Sequence, residues 1–416
     1  MKKKLFLITE SFPYGTGEKT FIKPELPYLI DKFDVTIISC ADANTKSDIS
    51  NITRLDEDIK ILSLMPINDK IKKIKYIVLA FFSLTMWREW IKIIREKHNT
   101  FSNLYYALWH YISSELFYNQ LSHTIKLNNA LVYTYWNNIR TLGVCRHKCE
   151  HVGLKIITRV HGCDLYNDRG LGKRQYFRWL VNCNLDAIFF VSQKGLAYYR
   201  DAYQVHEMEK LIYCPLGISD MLISSELQED DGFMLVSCSS VIPLKRVDLI
   251  VKALAEIKTS CKVHWVHFGD GSEMANIKEL ARLLLSKCDK IIYEFKGQEN
   301  NSTIRQYYAS HDIRGFITTS STEGGCPVSI QEALCAAVPI IGTNVGGISE
   351  MIDGNGFLLS NNPSVDEVVD AIEKLLNLSI EKNAEMKKRS REIWQEKYRA
   401  ENNFQYFIDR IQKIII

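Results

Sequence analysis

The stretch ITTSSTEGGCPVSIQEALCAAVPIIGTNVGGISE, residues 317–350, decides the fold that we expect for this chain. Two short apolar runs flank a run of helical character, which predicts a strand, a helix and a second strand of a parallel sheet. Pro327 suits the helix start, because the N–H group that it lacks would have no partner there. The expected order is a strand over 314–319, a loop over 323–327, a helix over 328–337, a strand over 338–342, and a Gly346-Gly347 turn that opens another short helix.

The loop that begins at Glu323 is suited to an anion. A helix N-terminus presents unpaired N–H groups and about half a positive charge, which favours a ligand such as a diphosphate. Glu332 lies about one turn into the helix, so it and Glu323 can both accept hydrogen bonds from hydroxyl groups of one ligand. Phosphates flanked by polyols describe a sugar nucleotide. The alternative is a strand–helix–strand unit with an ordinary glycine loop.

Two segments, EGGCPVSIQEA (323–333) and AAVPIIGTNVGGISE (336–350), resemble the retaining glycosyltransferases of family 4. Glu323 and Glu332 lie nine positions apart, one more than in the family pattern, because an extra residue lies in the loop between them. The resemblance implies an α/β protein of the GT-B fold. Such a protein has two facing Rossmann-like domains, with the active site in the cleft between them.

Length and composition indicate a globular protein of two or three domains. The chain has 416 residues, of which 46% are hydrophobic and 24% charged. The residues after Pro215 are polar and irregular, as a linker should be. We therefore expect a domain boundary near Pro215. The resemblance then implies an acceptor-side domain over 1–214, a nucleotide-sugar-binding domain over 215–400, and a terminal helix over 401–416 that crosses back to the first domain.

The formal net charge of +3 hides an asymmetry between the halves of the chain. Residues 1–200 carry 29 Lys and Arg against 18 Asp and Glu, a net charge of +11, and the remainder carries −8. A basic amino-terminal half points to anionic partners such as a membrane surface or a lipid-phosphate acceptor. Nucleic acid is not expected as a partner, because the sequence shows no motif that binds it.

The cysteines and the amino terminus indicate a cytoplasmic protein. Eleven cysteines without a C-x-x-C pair are typical of a reducing compartment. The first apolar run ends before Glu10, so it predicts a strand rather than a signal peptide. No run of apolar residues is long enough for a transmembrane helix. The cluster CRHKCEH (145–151) fits no common zinc site and predicts a helix end.

Residues 68–98 combine a basic start, an apolar centre and the pair Trp87 and Trp90. The pattern predicts one or two helices, with two alternatives for their environment. Such a segment could lie in the interface of an anionic bilayer, with lysines at the headgroups and aromatic rings just below them. Leu, Ile and Phe at helical spacing also describe a core helix of the first domain.

Two strand ends in the first half carry candidate residues. A glycine loop follows the strand over 5–9, and in the resemblance Gly17 is the nearest match to the family's Gly-Gly pair, which lets the backbone approach the donor phosphates and acceptor. The strand over 155–160 delivers His161, and TRVHGCDLY (158–166) resembles an H-G-x-D element of the family. His161 can donate to a phosphate or a sugar hydroxyl. A buried structural histidine is the alternative.

In the second half, Lys245 and Arg246 precede a helix with the apolar face Val247, Leu249 and Ile250. Two cations at a helix start oppose the helix dipole, so a ligand anion is expected to compensate them. The resemblance places Lys245 on the family's lysine, and Ser240 occupies the position of its arginine, so Arg246 supplies the second positive charge. A solvated basic pair is the alternative.

The resemblance implies transfer of a sugar from a nucleotide-diphosphate sugar, with UDP-sugar favoured, to a hydroxyl of a glycan or lipid-linked glycan acceptor, with retention. The reaction would be a step of surface polysaccharide synthesis. It would take place on the inner face of the cytoplasmic membrane and would need no metal or cofactor. Alternatives are a GT-B phosphorylase, a sugar-nucleotide epimerase and a catalytically silent partner subunit. The candidate catalytic residues are His161, Lys245 and Glu323, and the candidate donor-binding residues are Gly17, Arg246, Gly324, Gly325, Cys326, Pro327, Val328, Ser329 and Glu332.

Overall fold

The computed structural model describes residues 2–15, 17–42, 59–65, 69–222 and 232–415. The chain divides into two compact units, Met1–Cys214 with Phe404–Ile416, and Pro215–Asn403. Each unit is built on one parallel sheet with a hydrophobic core on either face. The α/β class that the sequence predicts is therefore confirmed.

Seven parallel strands form the sheet of the first unit. They are β1 (Lys3–Thr9), β2 (Phe33–Ser39), β3 (Lys60–Ser63), β4 (Leu131–Thr134), β5 (Lys155–Val160), β6 (Ala187–Phe190) and β7 (Leu211–Tyr213), in the spatial order β3-β2-β1-β4-β5-β6-β7. The helices between them are α1 (Lys19–Lys32), α2 (Lys70–Phe81), α3 (Leu84–Glu96), α4 (Thr100–Thr124), α5 (Ile139–Arg146), α6 (Arg178–Asn184) and α7 (Gln193–Tyr203).

The sequence of β1 shows why this sheet is covered on both faces. Successive side chains of a strand point to opposite faces, so a strand buried on both reads as a continuous apolar run. Phe6 and Ile8 enter one core, and Leu5 and Leu7 enter the other. The second core also contains Phe407 from the terminal helix, which packs back onto this unit as the resemblance implies.

Six parallel strands form the sheet of the second unit. They are β8 (Gly232–Cys238), β9 (Lys262–Phe268), β10 (Ile291–Gly297), β11 (Ile313–Thr318), β12 (Ile340–Thr343) and β13 (Gly356–Leu359), in the order β10-β9-β8-β11-β12-β13. The remaining helices are α8 (Val247–Glu256), α9 (Met274–Leu285), α10 (Asn301–Ser310), α11 (Val328–Cys335), α12 (Val365–Leu376), α13 (Ile380–Ile393) and α14 (Ala400–Ile415). In both sheets the order reverses direction beside the first strand, and ligands of open parallel sheets bind at the carboxyl ends of strands near such a reversal.

The described residues 69–98 of the basic and apolar segment form α2 and α3, and much of the apolar surface of these helices is exposed. Asp69 caps α2, since its carboxylate accepts hydrogen bonds from the amides of Ile71 (2.9 Å) and Lys72 (3.1 Å). Tyr76 and Ala80 are the buried residues of α2, and Ala80 belongs to the core of the first unit, so α2 packs on that core along one side only. Among the described residues, none of the helices is both long and apolar enough to cross a lipid bilayer.

Candidate functional site

The loop between β11 and α11 is held by the turn at Gly346-Gly347. A Cβ atom at Gly346 would overlap the carbonyl oxygen of Glu323, and the φ of 51° there also favours glycine. The amide of Gly347 donates to the carbonyl of Gly325 (3.1 Å), and a Cβ at Gly347 would lie 2.7 Å from that oxygen. The two glycines therefore fix the loop by close packing, whereas the sequence suggested only close approach of a ligand.

Lys245 and Glu323 form an ion pair at the carboxyl end of the second sheet. Lys245 ends a short 3₁₀ turn before α8, and Glu323 opens the loop before α11. Both side chains keep part of their surface exposed, so a ligand can reach the ammonium and the carboxylate. The structure thus brings together two of the three residues that the sequence marked as catalytic.

Arg246 holds the same loop through its guanidinium. Its Nε donates to the carbonyl of Thr319 (2.7 Å) and its Nη2 to the carbonyl of Ser320 (3.1 Å). Its Nη1 donates to Oδ1 of Asn362 (2.6 Å). Burial lowers the pKa of Arg246 from its usual value. These contacts give Arg246 a role in positioning the loop, and its contact with a donor phosphate stays a prediction.

Glu332 is almost completely buried inside α11. Its Oε1 accepts a hydrogen bond from Nδ2 of Asn301 on α10 (3.2 Å). Burial raises the pKa of this carboxyl group to about 7, while Asn301 and Arg305 act in the opposite direction. Near neutral pH the group is therefore divided between its acid and its carboxylate, so it can donate to or accept from a hydroxyl group.

Cys238, the last residue of β8, connects the two sides of this site. Burial raises the pKa of its thiol to about 12, the charge of Glu332 acts in the same direction, and Lys245 acts against it. Glu332 and Lys245 thus both act on the thiol of Cys238, which is half-buried. The pair of Lys245 with Glu323 joins the turn before α8 to the loop before α11, and Glu332 lies further along α11.

The start of α11 presents main-chain amides rather than reactive side chains. Cys326 is buried, its Sγ lies 3.4 Å from the hydroxyl of Tyr398, and burial raises the pKa of its thiol to about 12. Its side chain faces the core, so only its backbone can contact a ligand. As at any helix start, the first amides have no partner inside the helix. At the start of α11 these are the amides of Val328 and Ser329, which follow Pro327. Gly324 and Gly325 lie in the loop just before Pro327.

In the first unit, Glu18 organises the loop after β1. Its carboxylate accepts hydrogen bonds from the amides of Glu10 (3.0 Å), Ser11 (2.6 Å) and Phe12 (2.9 Å) and from the indole of Trp136 (2.6 Å). Glu18 was not among the site residues that the sequence predicted. The available signal was an acid at the start of α1, directly after a glycine loop.

Gly17 and Gly15 differ in what they require. A Cβ at Gly15 would overlap the side chain of Ser11, whereas a Cβ at Gly17 would meet no atom within 4 Å. Gly17 is exposed and lines a cavity, so its contact with a donor or an acceptor stays a prediction. The structure makes Gly15 the glycine that the loop itself needs.

His161 follows β5 and lies in an aromatic cluster. Its ring centroid is 4.4 Å from that of Trp136, 4.9 Å from that of Tyr135 and 6.4 Å from that of Phe21. Neither imidazole nitrogen has a hydrogen-bond partner among the described residues. Burial, with Arg159 nearby, lowers the pKa of His161 well below its usual value, so the ring is neutral at pH 7. A neutral imidazole keeps one donor and one acceptor for a ligand.

Asp164 fixes the loop that carries His161. Its Oδ1 accepts from the amide of His161 (2.8 Å) and its Oδ2 from the amide of Asn137 (2.9 Å). Beside these residues lies a cavity of about 590 Å³, which we name the polar cavity. Gly17, Glu18, Trp136, Cys163 and Asp164 are among its lining residues.

The predicted site residues fall into two sets. Lys245, Glu323, Arg246, Glu332 and the loop over 324–329 lie together in the second unit, and Gly17 and His161 lie in the first. Within the described part of the chain, no group of His, Cys, Asp and Glu side chains is arranged to hold a metal ion.

Comparison with known proteins gives concordant matches. Residues 221–393 match the model of the family described as glycosyl transferases group 1. The chain is 25% identical over 260 residues to N-acetyl-alpha-D-glucosaminyl L-malate synthase from Bacillus anthracis, a match that covers 60% of this chain and 65% of that protein. The chain therefore spans slightly less than two thirds of the length of that relative.

Two solved structures share the fold over nearly the whole chain. One is the apo form of the lipopolysaccharide outer core galactosyltransferase WaaB, with a TM-score of 0.68, 15% identity and coverage of 99% of both chains. The other is HepE from Anabaena in complex with UDP, with a TM-score of 0.67, 14% identity, and coverage of 99% of this chain and 100% of that one.

Proposed function

The chain has the GT-B fold and carries a group 1 glycosyltransferase domain, and from this premise we propose that it moves a sugar from a nucleotide-diphosphate sugar to an acceptor hydroxyl with retention. The observation that carries the proposal is the ion pair of Lys245 with Glu323 at the loop that leads into α11, the helix that also carries Glu332. The lipopolysaccharide outer core galactosyltransferase named above supports a bacterial glycan as the acceptor.

The chemistry requires stabilisation of the leaving group. The bond between the anomeric carbon and the diphosphate oxygen breaks, the acceptor oxygen bonds to that carbon, and the hydroxyl proton is released. Negative charge grows on the diphosphate, and donors fixed in advance around that charge are usually the largest catalytic contribution. The Lys245 ammonium and the amides of Val328 and Ser329 supply such donors, while Glu323 and Glu332 accept from the hydroxyls of the donor sugar and the ribose.

The donor is proposed to be a UDP-sugar, in line with the UDP bound to HepE. Thermal shift with UDP-, GDP- and ADP-sugars tests this, since a ligand at about 100 times its dissociation constant stabilises a protein by about 2.7 kcal/mol. We expect the UDP-sugar to raise the melting temperature most. The Lys245→Ala variant should lose the shift, and the matched control Lys252→Ala, whose lysine pairs with Asp248 on α8, should keep it. An equal shift in both variants would contradict the assignment.

Retention is tested on the product. With the donor identified, the proton coupling constant at the new anomeric centre should report the same configuration as in the donor. Inversion, or turnover that depends on inorganic phosphate, would remove the proposed reaction. We propose that the enzyme needs no metal, and full activity after treatment with a chelator is the expected result.

The acceptor is proposed to be a glycan or lipid-linked glycan on the inner face of the cytoplasmic membrane. Support comes from an apolar surface on α2, α3 and the start of α4, which we name the α2–α4 face. Ile71 and Phe82 are each 81% exposed and Leu84 is 86% exposed. Its exposed apolar residues are Ile71, Ile74, Ile77, Val78, Leu79, Phe81, Phe82, Leu84, Trp87, Ile91, Ile94, Phe101, Tyr105 and Trp109.

The charge beside this face selects an anionic lipid surface as its occupant. Lys70, Lys72 and Lys75 are exposed on α2, and Arg95 is exposed on α3. A basic residue near an anionic membrane contributes about 1 kcal/mol to binding, and apolar side chains at the headgroup boundary add to it. Lysines beside exposed isoleucines on one helix thus match both properties of such a surface.

Flotation with liposomes tests this part. The chain should float with vesicles that contain anionic lipid and should stay at the bottom with zwitterionic ones. The double variant Ile71→Ser/Phe82→Ser should lose flotation, and Ile380→Ser, which removes an equally exposed isoleucine from α13, should not. If the double variant instead converts a dimer into a monomer in sedimentation, the face binds a second copy and the membrane proposal fails.

A further inference from the structure

The first unit contains a second cavity, of about 730 Å³, which we name the apolar cavity. It adjoins the polar cavity, because Glu10 and Ile139 line both. The polar cavity lies beside the loop of His161 and Asp164, where the acceptor is expected. The two spaces therefore form neighbouring compartments of one unit.

The lining of the apolar cavity is mainly hydrocarbon. Most of its lining residues come from α4, and the others come from α2, from α5 and from the residues that follow β1, β2 and β3. Side chains of this kind offer dispersion contacts and few hydrogen bonds to an occupant. Among its apolar lining residues are Leu64, Ile77, Leu108, Ile112, Leu116 and Phe117.

Glu10 marks the change from one compartment to the other. Its Oε1 accepts from Nδ2 of Asn138, which lines the polar cavity, and from Nη1 of Arg140, which lines the apolar one. Nε of Arg140 also donates to Sγ of Cys40 (2.7 Å). Glu10, Cys40 and Arg140 thus form a polar cluster next to the polar cavity, and Lys73, Ser113 and Gln120 are further polar residues of the lining. An apolar cavity with a polar cluster beside its neighbour suits a molecule with a polar head and an apolar tail.

We propose that the apolar cavity binds the hydrocarbon chain of an amphiphilic acceptor whose polar head lies in the polar cavity. The identification of the head as the reacting part rests on the proposed function. A hydrocarbon fits better than a peptide, because a peptide backbone would leave its amides without partners against this lining. The same two helices, α2 and α4, also carry the α2–α4 face, so a chain that leaves a membrane there enters the cavity between them.

Titration calorimetry with n-alkyl β-glucosides from butyl to decyl, below their critical micelle concentrations, tests the proposal. Burying a methylene group contributes enough for about a fourfold gain in affinity. We expect the affinity to rise by about that factor per methylene and to level off when the cavity is full. An affinity that does not depend on chain length overturns the proposal.

Two variants of α4 separate the cavity from the rest of the surface. In Ser113→Trp the new indole occupies the apolar cavity, and in the matched control Ser102→Trp it lies on an exposed position outside it. The first variant should lose the dependence on chain length and the second should keep it. Equal behaviour of the two contradicts the proposal. The proposal is also contradicted if the dependence of affinity on chain length is lost in Ile71→Ser/Phe82→Ser but kept in Ser113→Trp. The alkyl chains would then adsorb on the α2–α4 face.

The donor supplies an independent control. Far-UV circular dichroism should show that both tryptophan variants are folded, and UDP binding, which uses the second unit, should be unchanged in them. Normal UDP binding with no binding of any alkyl glucoside removes the apolar subsite and leaves the glycosyltransferase assignment standing. If the unmodified chain does not bind UDP, that result counts against the proposed function instead.

Discussion

The backbone of Gly346 lies against the carbonyl oxygen of Glu323, so close that no Cβ atom fits between them. The carboxylate of the same glutamate pairs with Lys245. A glycine more than twenty positions downstream in the chain therefore sets the position of a residue that we expect to contact the donor sugar.

We expect Gly346→Ala to weaken donor binding by about tenfold or more, because the loop of Glu323 must move to admit the methyl group. A left-handed residue other than glycine also costs about 1 kcal/mol. Gly354→Ala is the matched control, since Gly354 has a φ of 75° and its Cβ would approach no atom closer than 3.9 Å. Calorimetric titration of both variants with UDP measures the difference. Equal losses of affinity would show that backbone strain alone is responsible.

We expect Glu332→Gln to change how stability depends on pH. The pKa of this group is raised from 4.5 to about 7 by burial, so the folded state binds its proton more tightly than the unfolded state. The unmodified chain therefore loses stability as the pH rises from about 4.5 to about 7, by at most about 3 kcal/mol. The glutamine variant should lack this loss and melt higher than the unmodified chain at pH 8. Denaturant unfolding at pH 5 and pH 8 measures it, with the exposed Glu256→Gln as control; parallel curves for all three proteins would refute it.

We expect the stability of the first unit to depend on the ion pair between Arg159 and Glu25. Its atoms Nη2 and Oε2 are 2.7 Å apart, both side chains are buried, and the guanidinium lies 4.4 Å from the ring centre of Phe407. Removing one partner of a buried pair leaves an uncompensated charge and costs about 3–5 kcal/mol. Glu25→Leu should lower the melting temperature strongly, and Glu25→Leu/Arg159→Met should recover part of the loss. Failure of the double variant to recover any stability would argue against charge as the cause.

We expect Glu18→Gln to reduce acceptor-dependent turnover while UDP binding stays normal. Glutamine keeps one acceptor oxygen, but an NH₂ group replaces the second carboxylate oxygen. This NH₂ group would face N–H donors that bind the carboxylate in the unmodified chain, so the loop after β1 must shift. Steady-state kinetics with varied acceptor should show a higher KM or a lower kcat. A larger effect on UDP affinity than on the acceptor parameters would contradict this assignment.

The sequence predicted β11, α11 and β12 closely, and the reason is local. β11 and β12 are short, mainly apolar runs that end in threonine, so the pattern alone indicates where the ligand side lies. The ion pair of Lys245 with Glu323 could be expected too, because the carboxyl ends of parallel strands meet at one edge of a sheet.

Other features depend on contacts that no local pattern contains. Glu18 reaches the indole of Trp136 across 118 positions, and Arg246 reaches the residues around 361. Periodicity in α2 indicates an apolar face but not whether protein or something else covers it, which is why two alternatives were open for that segment. The contact with Ser11 likewise shows that Gly15, and not Gly17, must be glycine for steric reasons, and this contact is visible only in the structure.

The packing of α14 has a consequence for biosynthesis. Phe407, Ile408 and Ile411 complete a core that begins with Leu5 and Leu7 on the first strand. The ribosome makes residues 404–415 only after the whole of the second unit. Part of the apolar surface of the first unit therefore stays uncovered until the second unit has been made. Domains that are made first commonly fold first, but here the earlier unit reaches its final packing last.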